Sequence, residues 1–293
     1  MSGPRPLIVG AAGQVGGALV SLLGKSTIAA GRLPTKDGSP YVDLAALAHD
    51  PAGARKVLAP LDLSAVYCVG GATDVERCES EVSWAMDTNC YGPAELASAS
   101  RGLPFVYFST EYVFDGGNGP YRETDPTSAL SAYGRSKLEG ERRILDAHPS
   151  PLIVRTTVVY GPDRQGKNFL YTLRRLLSSG KSMRIPIDQV STPTYNVDLA
   201  QATVDLIAMG ASGIYHVCGP EIISRYEFAK LAASILGLDS SLLLPVTTAE
   251  LNQRAPRPLK AGLRTDKLRS TLGRSPVRSN HDAIAAWKRQ ETA

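Results

Sequence analysis

Short apolar runs alternate with helix-period patterns along most of the chain. Pro6–Gly10 reads as a strand running into a glycine-rich turn, after which Val15, Leu19, Leu22 and Leu23 fall on one helical face. Ser26–Gly31 reads as a second strand, Tyr41–Asp43 as a short third, 44–59 as a helix and Ala65–Val69 as a buried strand. Then come a helical stretch over 84–100 and a strand dense in aromatic and β-branched residues over 104–109. A Gly/Pro-rich loop over 116–126 and an amphipathic, charged helix over 133–147 follow. The next buried strand covers 152–159 and ends at Tyr160-Gly161-Pro162. Beyond it the order loosens: helix 169–179, a polar loop over 188–195, helix 197–209, strand 213–217, and a helical remainder with proline breaks. Strand–helix alternation of this kind predicts an α/β protein with a doubly wound parallel sheet.

Composition narrows the class. The 293 residues are 43% apolar and 20% charged, values of a globular chain rather than a disordered or fibrous one. Thirty-two Lys and Arg against 28 Asp and Glu leave a formal charge of +4, too little for a nucleic-acid binder. The balance is uneven, because 254–289 holds ten basic and two acidic residues, a local +8 that suits an anionic ligand. No run approaches the roughly 18–20 apolar residues of a membrane span. With Arg5-Pro6-Leu7-Ile8-Val9-Gly10 running straight into the first strand, no leader is expected and a cytoplasmic location is. Cys68, Cys78, Cys90 and Cys218 lack CxxC spacing and read as buried reduced thiols. Four histidines without HxH or HExxH spacing argue against a zinc enzyme, and no metal ligands are expected.

Gly10-Ala-Ala-Gly13-Gln14-Val15-Gly16 sits between the first strand and first helix. There glycines allow a tight turn, and the helix N-terminus offers free N–H groups to a pyrophosphate. This predicts a Rossmann-type dinucleotide site. The second strand ends at Gly31-Arg32, with no carboxylate before Asp37. An acidic residue at that point would favour NAD(H), whereas a guanidinium can pair with a 2′-phosphate, so NADP(H) is expected over NAD(H). Tyr133 and Lys137, four residues apart, share a helical face. A phenol of ordinary pKa near 10 with a cation beside it can supply a proton to a carbonyl oxygen as hydride arrives.

With these motifs in place, the chain resembles the extended short-chain dehydrogenase/reductases, and among them the dTDP-4-dehydrorhamnose reductase group. The resemblance is carried by the GxxGxxG turn, Thr73-Asp74-Val75-Glu76, Asn89-Cys-Tyr-Gly92-Pro93, Ser109-Thr110-Glu111-Tyr112-Val113-Phe114-Asp115-Gly116, Tyr133-Gly-Arg-Ser-Lys137-Leu-Glu-Gly140-Glu141, Arg155-Thr-Thr-Val-Val-Tyr160-Gly161 and Arg257-Pro258. It implies that Tyr133 is the general acid, that Thr110 hydrogen-bonds the substrate carbonyl, and that Lys137 lowers the Tyr133 pKa and holds the nicotinamide ribose. It further implies that Asn89 supports the relay, and that Asp43 and Leu44 lie near the adenine at the end of the third strand. Glu111, Val113, Asp188, Gln189 and Arg257 would face the nucleotide-sugar. The domains implied are a cofactor-binding unit over 1–165 completed by 196–218, and a substrate lobe from 166–195 and 219–293. A homodimer is common in the group.

Departures fall on the substrate side: Glu111 stands where the group usually has Asp, Gly70-Gly71-Ala72 replaces Ala-Ala-Tyr, and Val158 replaces a tryptophan. The leading expectation is an NADPH-dependent 4-ketoreductase of a nucleotide-activated deoxysugar. A nucleotide-sugar dehydratase or epimerase, and a non-catalytic regulatory subunit like the methionine adenosyltransferase β subunit, stay open. Glu111-Tyr112 lacks the Asp-Glu pair of the dehydratases.

Overall fold

The computed structural model describes residues 3–32 and 40–292; Asp37 lies outside them. Six parallel strands form one sheet: β1 (Arg5–Val9), β2 (Ile28–Ala30), β3 (Leu63–Cys68), β4 (Phe105–Thr110), β5 (Leu152–Thr156) and a last strand at Gly213–His216. Across the sheet the last strand lies beside β5, followed by β4, β3, β1 and β2. The chain therefore starts near one edge, works outward, and crosses back over β1, so the carboxyl ends of β1 and β3 flank a reversal in strand order where such sheets bind ligands. Two apolar layers cover its faces. Leu7, Val9, Val66, Leu96, Phe105 and Ile144 belong to one, and Ile8, Leu19, Val106, Val154, Leu199 and Leu206 to the other. A third cluster, around Tyr160, Leu173, Tyr195, Phe228 and Trp287, fills a separate core beyond the sheet.

Several elements differ from expectation for local reasons. The second strand is short because the first helix, Gln14–Leu23, continues into a 3₁₀ turn at Gly24–Ser26. The third strand does not form. Tyr41 makes a single bridge to Gly31, and the Asp43 carboxylate accepts from Ala45 N at 3.0 Å, capping a four-residue helix at Leu44–Leu47. The helix expected over 44–59 breaks at Asp50-Pro51 and resumes at Gly53–Leu58, since proline disfavours a helical residue before it. The one expected over 84–100 widens into a π-helical turn at Asp87–Tyr91. The strand expected over 152–159 is split at Val158, a β-branched residue held at φ 36°. The loop expected over 188–195 contains two short strands, Val190–Ser191 and Thr194–Tyr195.

Candidate active site

The glycine turn is shaped by close approach. Gly10 sits at φ 92°, and a Cβ there would lie 2.5 Å from Gly70 N; a Cβ on Gly16 would lie 2.2 Å from Gly10 O. Gly10 N and Ala11 N both donate to Ala30 O, tying the turn to the end of β2. The helix that follows has no side-chain cap and no acidic residue in its first turn, so, with Gly13 N donating to Gly10 O at 3.0 Å, Gln14 and Val15 begin it at an uncompensated positive dipole end. Gln14 Nε2 is buried without a partner. This chemistry fits an anionic dinucleotide. Asp43 is occupied with its cap, and Leu44 is buried in the core, its Cδ1 3.1 Å from where a Cβ on Gly70 would stand. Arg32 is exposed beside the turn.

Next to it, β4 ends at Thr110 and the helix Ala132–Ala147 begins, with Ser131 Oγ accepting from Gly134 N at 3.1 Å as its cap. That cap starts the helix one residue before Tyr133, and the i,i+4 spacing brings Lys137 onto the same side. Lys137 is buried, donates to Phe108 O at 2.9 Å and lies 4.6 Å from the Tyr107 ring centre. Burial pulls its pKa down to about 8, partly offset by Cys68 and Glu141. Asn89, on the π turn, is fully buried and saturated. Its side chain accepts from Ala72 N at 2.8 Å and donates to Ala72 O and Ser136 Oγ at 3.0 Å each. Tyr107 OH donates to the Asn89 carbonyl at 2.5 Å. Packing is tight enough that a Cβ on Gly140 would come within 2.3 Å of that same carbonyl.

Tyr133 meets Tyr112 edge-on at 5.4 Å between ring centres. Burial holds its phenol above the ordinary tyrosine value, with the Thr110 hydroxyl pulling the other way. Lys137 is not among the groups that lower it here; its ammonium donates to the Phe108 carbonyl and lies over the Tyr107 ring. Tyr133 is accordingly held as a protonated acid, the form a carbonyl reduction consumes. Behind the site, Arg155 pairs with Glu141 through bonds of 2.7–3.2 Å, both buried, and Ser109 Oγ donates to the same carboxylate.

The substrate side is less finished. Glu111 is 4% exposed, and burial lifts its pKa to about 8 against the opposing Thr157 hydroxyl and Arg225 charge. Glu111 Oε2, Thr156 Oγ1 and Thr157 Oγ1 are buried without a partner in good hydrogen-bond geometry, although the Thr157 hydroxyl stands close enough to act on the Glu111 carboxyl. Arg257 donates to Glu76 at 2.7 Å and lies 6.0 Å from the Tyr112 ring centre. Asp188 and Gln189 do not project freely. Asp188 accepts from Thr248 N and Oγ1, and Gln189 donates to Thr248 Oγ1 at 3.1 Å. Val113, expected against the sugar, is fully buried in a small core with Phe114, Tyr121 and Leu263, where an apolar side chain gains most.

Arg225 was not anticipated. It opens the helix Arg225–Leu236, its guanidinium is 4.9 Å from the Phe169 ring centre, and it interacts electrostatically with Tyr112, Glu111 and Arg257. Its backbone N–H donates to Gln189 O at 2.8 Å, so the Asp188-Gln189 loop positions it. The available signal is Ser224-Arg225-Tyr226-Glu227, a capping pattern with a cation in the first turn, where the helix dipole opposes positive charge. The basic C-terminal segment is largely consumed by ion pairs: Arg278 with Asp198, Arg274 with Asp205, Arg264 and Arg269 with Asp266, and Arg257 with Glu76. It holds parts of the chain together more than it displays charge. All four cysteines are free and buried, and among the described residues no helix is long and apolar enough to cross a membrane.

The family model described as the RmlD substrate binding domain matches residues 5–290. A dTDP-4-dehydrorhamnose reductase of Mycobacterium tuberculosis is 33% identical over 289 residues, 96% of this chain and 91% of that protein. A dTDP-4-keto-6-deoxy-D-glucose reductase of Streptomyces niveus is 34% identical over 282 residues, 94% of this chain and 93% of its own. Among solved structures, the Bacillus anthracis dTDP-4-dehydrorhamnose reductase in complex with NADP superposes with a TM-score of 0.88 at 28% identity, covering 99% of this chain and 100% of that one. The sheet with its reversal of strand order, the glycine turn and the Thr-Tyr-Lys grouping thus agree with sequence similarity along nearly the whole length: the chain belongs to the RmlD family, the dTDP-4-dehydrorhamnose reductase group of the extended short-chain dehydrogenase/reductases.

Proposed function

We propose that the protein is an oxidoreductase that uses NADPH to reduce the 4-keto group of a dTDP-linked deoxysugar, as the names of its relatives indicate for them. The observation that carries this reading is the convergence of Thr110, Tyr133 and Lys137 on one strand end beside a glycine turn whose helix has no acid in its first turn. When bound, the nicotinamide supplies the hydride. Tyr133, kept protonated by burial, delivers the proton to the carbonyl oxygen, and the Thr110 hydroxyl donates to that oxygen and aligns it. Lys137 hydrogen-bonds the nicotinamide ribose. Asn89 acts through its neighbours, fixing Ala72 and Ser136 and with them the approach of the Tyr133 helix. Gly10, Gly13, Gln14, Val15 and Gly16 take the pyrophosphate, and Arg32 favours NADPH over NADH. Arg225 and Arg257 meet the substrate diphosphate, and Glu111 with Thr156 and Thr157 reads sugar hydroxyls, which would satisfy their unpaired atoms.

The same reading divides the chain into a cofactor unit, 1–165 with 196–218, and a substrate lobe of 166–195 and 219–293. The third core supports the division. The test is to mix purified protein, NADPH and a panel of 4-keto nucleotide-sugars, follow the nicotinamide absorbance and identify the product. Oxidation of NADPH with formation of a 4-hydroxy sugar is expected. No turnover with any of them, together with tight capture by another enzyme, would favour a regulatory role instead.

A further inference from the structure

We infer that the cofactor's 2′-phosphate is held between two arginines from opposite parts of the chain, Arg32 after β2 and Arg164 on the loop after Tyr160. The inference rests on the dinucleotide reading above and adds a residue from the other side of the cleft. Ala12 of the glycine turn, Arg32, Arg164 and Gln165 line one open pocket of about 530 Å³, within the roughly 300–1,000 Å³ of small-molecule sites.

The loop is fixed over the turn by a specific bond, Gln165 Nε2 donating to Ala12 O at 2.9 Å. Both arginines are exposed, and among the described residues neither has a hydrogen bond or ion pair. Asp163, the carboxylate next to Arg164 in sequence, is turned into its own loop. It accepts from Gln165 N at 3.0 Å and Lys167 N at 2.9 Å. This sets the pair apart from the C-terminal arginines, five of which pair with a carboxylate. Two guanidiniums line this one pocket with no carboxylate of the described residues on it, and a phosphate dianion between them would make charge-assisted contacts to both. The pyrophosphate has its own donors at the helix N-terminus, which leaves this pocket for the second anionic group of NADPH.

Calorimetric titration of the intact protein with NADPH, NADH, 2′,5′-ADP and 5′-ADP tests the assignment. Arg164→Ala should weaken NADPH and 2′,5′-ADP by about ten- to a hundredfold, the scale of a charge-assisted hydrogen bond, and leave NADH and 5′-ADP within about twofold. Arg164→Lys should recover part of the loss, because the charge remains without the planar fork. Unchanged NADPH affinity in Arg164→Ala, or equal losses for NADPH and NADH, would overturn the inference while leaving the dinucleotide reading standing. Binding of neither dinucleotide by the unmodified protein would overturn both.

Discussion

Asn89 and Glu111 are both buried polar side chains bordering the Tyr133 helix, and their surroundings are opposite. Every side-chain hydrogen bond of Asn89 is made inside the chain, to Ala72 and Ser136. Glu111 keeps an oxygen without a partner, beside two threonine hydroxyls in the same condition. A buried polar atom left unpaired costs about 1–3 kcal/mol, so the first region is complete in itself and the second is complete only with something bound. The difference also sorts the sequence. The saturated region carries motif residues of the family together with one departure, Ala72, whereas the unsaturated one holds the departures Glu111 and Val158, the latter at φ 36°. Chemistry is preformed on one side and selectivity is left to side chains awaiting a ligand on the other.

The largest effect expected is at the Arg155–Glu141 pair behind Ser109. Both partners are buried, so Arg155→Met strands a carboxylate in the core and should cost about 3–5 kcal/mol in chemical denaturation. A loss under 1 kcal/mol would mean that Glu141 simply takes up a proton. Asn89→Ala removes the partners of Ala72 N, Ala72 O and Ser136 and should destabilise by about 1–3 kcal/mol. Turnover should fall beyond what the loss of folded protein explains, because the approach of the Tyr133 helix loosens.

On the unsaturated side the effects should appear in binding. Arg225→Ala and Arg257→Ala should each raise the substrate KM more than they lower kcat, since contacts to a diphosphate are present in ground and transition states alike. An unchanged KM in both would return the two arginines to a purely structural role. The smallest effect is a pH slope. Glu111 is raised to about 8 in the fold from an ordinary value of 4.5, so the folded chain holds a proton that the unfolded chain has lost. Its contribution is present in full below about 4.5 and declines as pH rises toward about 8. Relative to Glu111→Gln, wild-type stability should therefore fall across that window by no more than about 1.4 kcal/mol per pH unit. A difference that is flat with pH would show Glu111 ionised in the fold.

The same contrast explains what was legible in the sequence. The glycine turn and the Tyr133–Lys137 spacing depend on residues close in sequence, and local periodicity locates them. The Asp50-Pro51 break was equally local and readable from proline chemistry, although an apolar pattern running through it suggested one long helix. Arg225, Arg164 and the pairing of Arg257 with Glu76 depend on contacts between distant segments, which no local pattern reports. The net charge of 254–289 was legible, but its neutralisation was not, because Asp198 and Asp205 lie far back in the chain. Val113 lies on a 3₁₀ turn, Glu111–Val113, that carries its side chain into the small core of Phe114, Tyr121 and Leu263, a burial the motif alone does not report.

The central claim is that Tyr133 delivers the proton. Tyr133→Phe keeps the ring against Tyr112 and removes only the hydroxyl. In a single-turnover measurement with NADPH and the accepted 4-keto nucleotide-sugar, the variant should reduce substrate about 10²–10⁴-fold more slowly, the usual worth of general acid–base catalysis. Its NADPH affinity, titrated separately, should be unchanged. A variant that turns over at near wild-type rate would contradict the assignment of the proton to Tyr133.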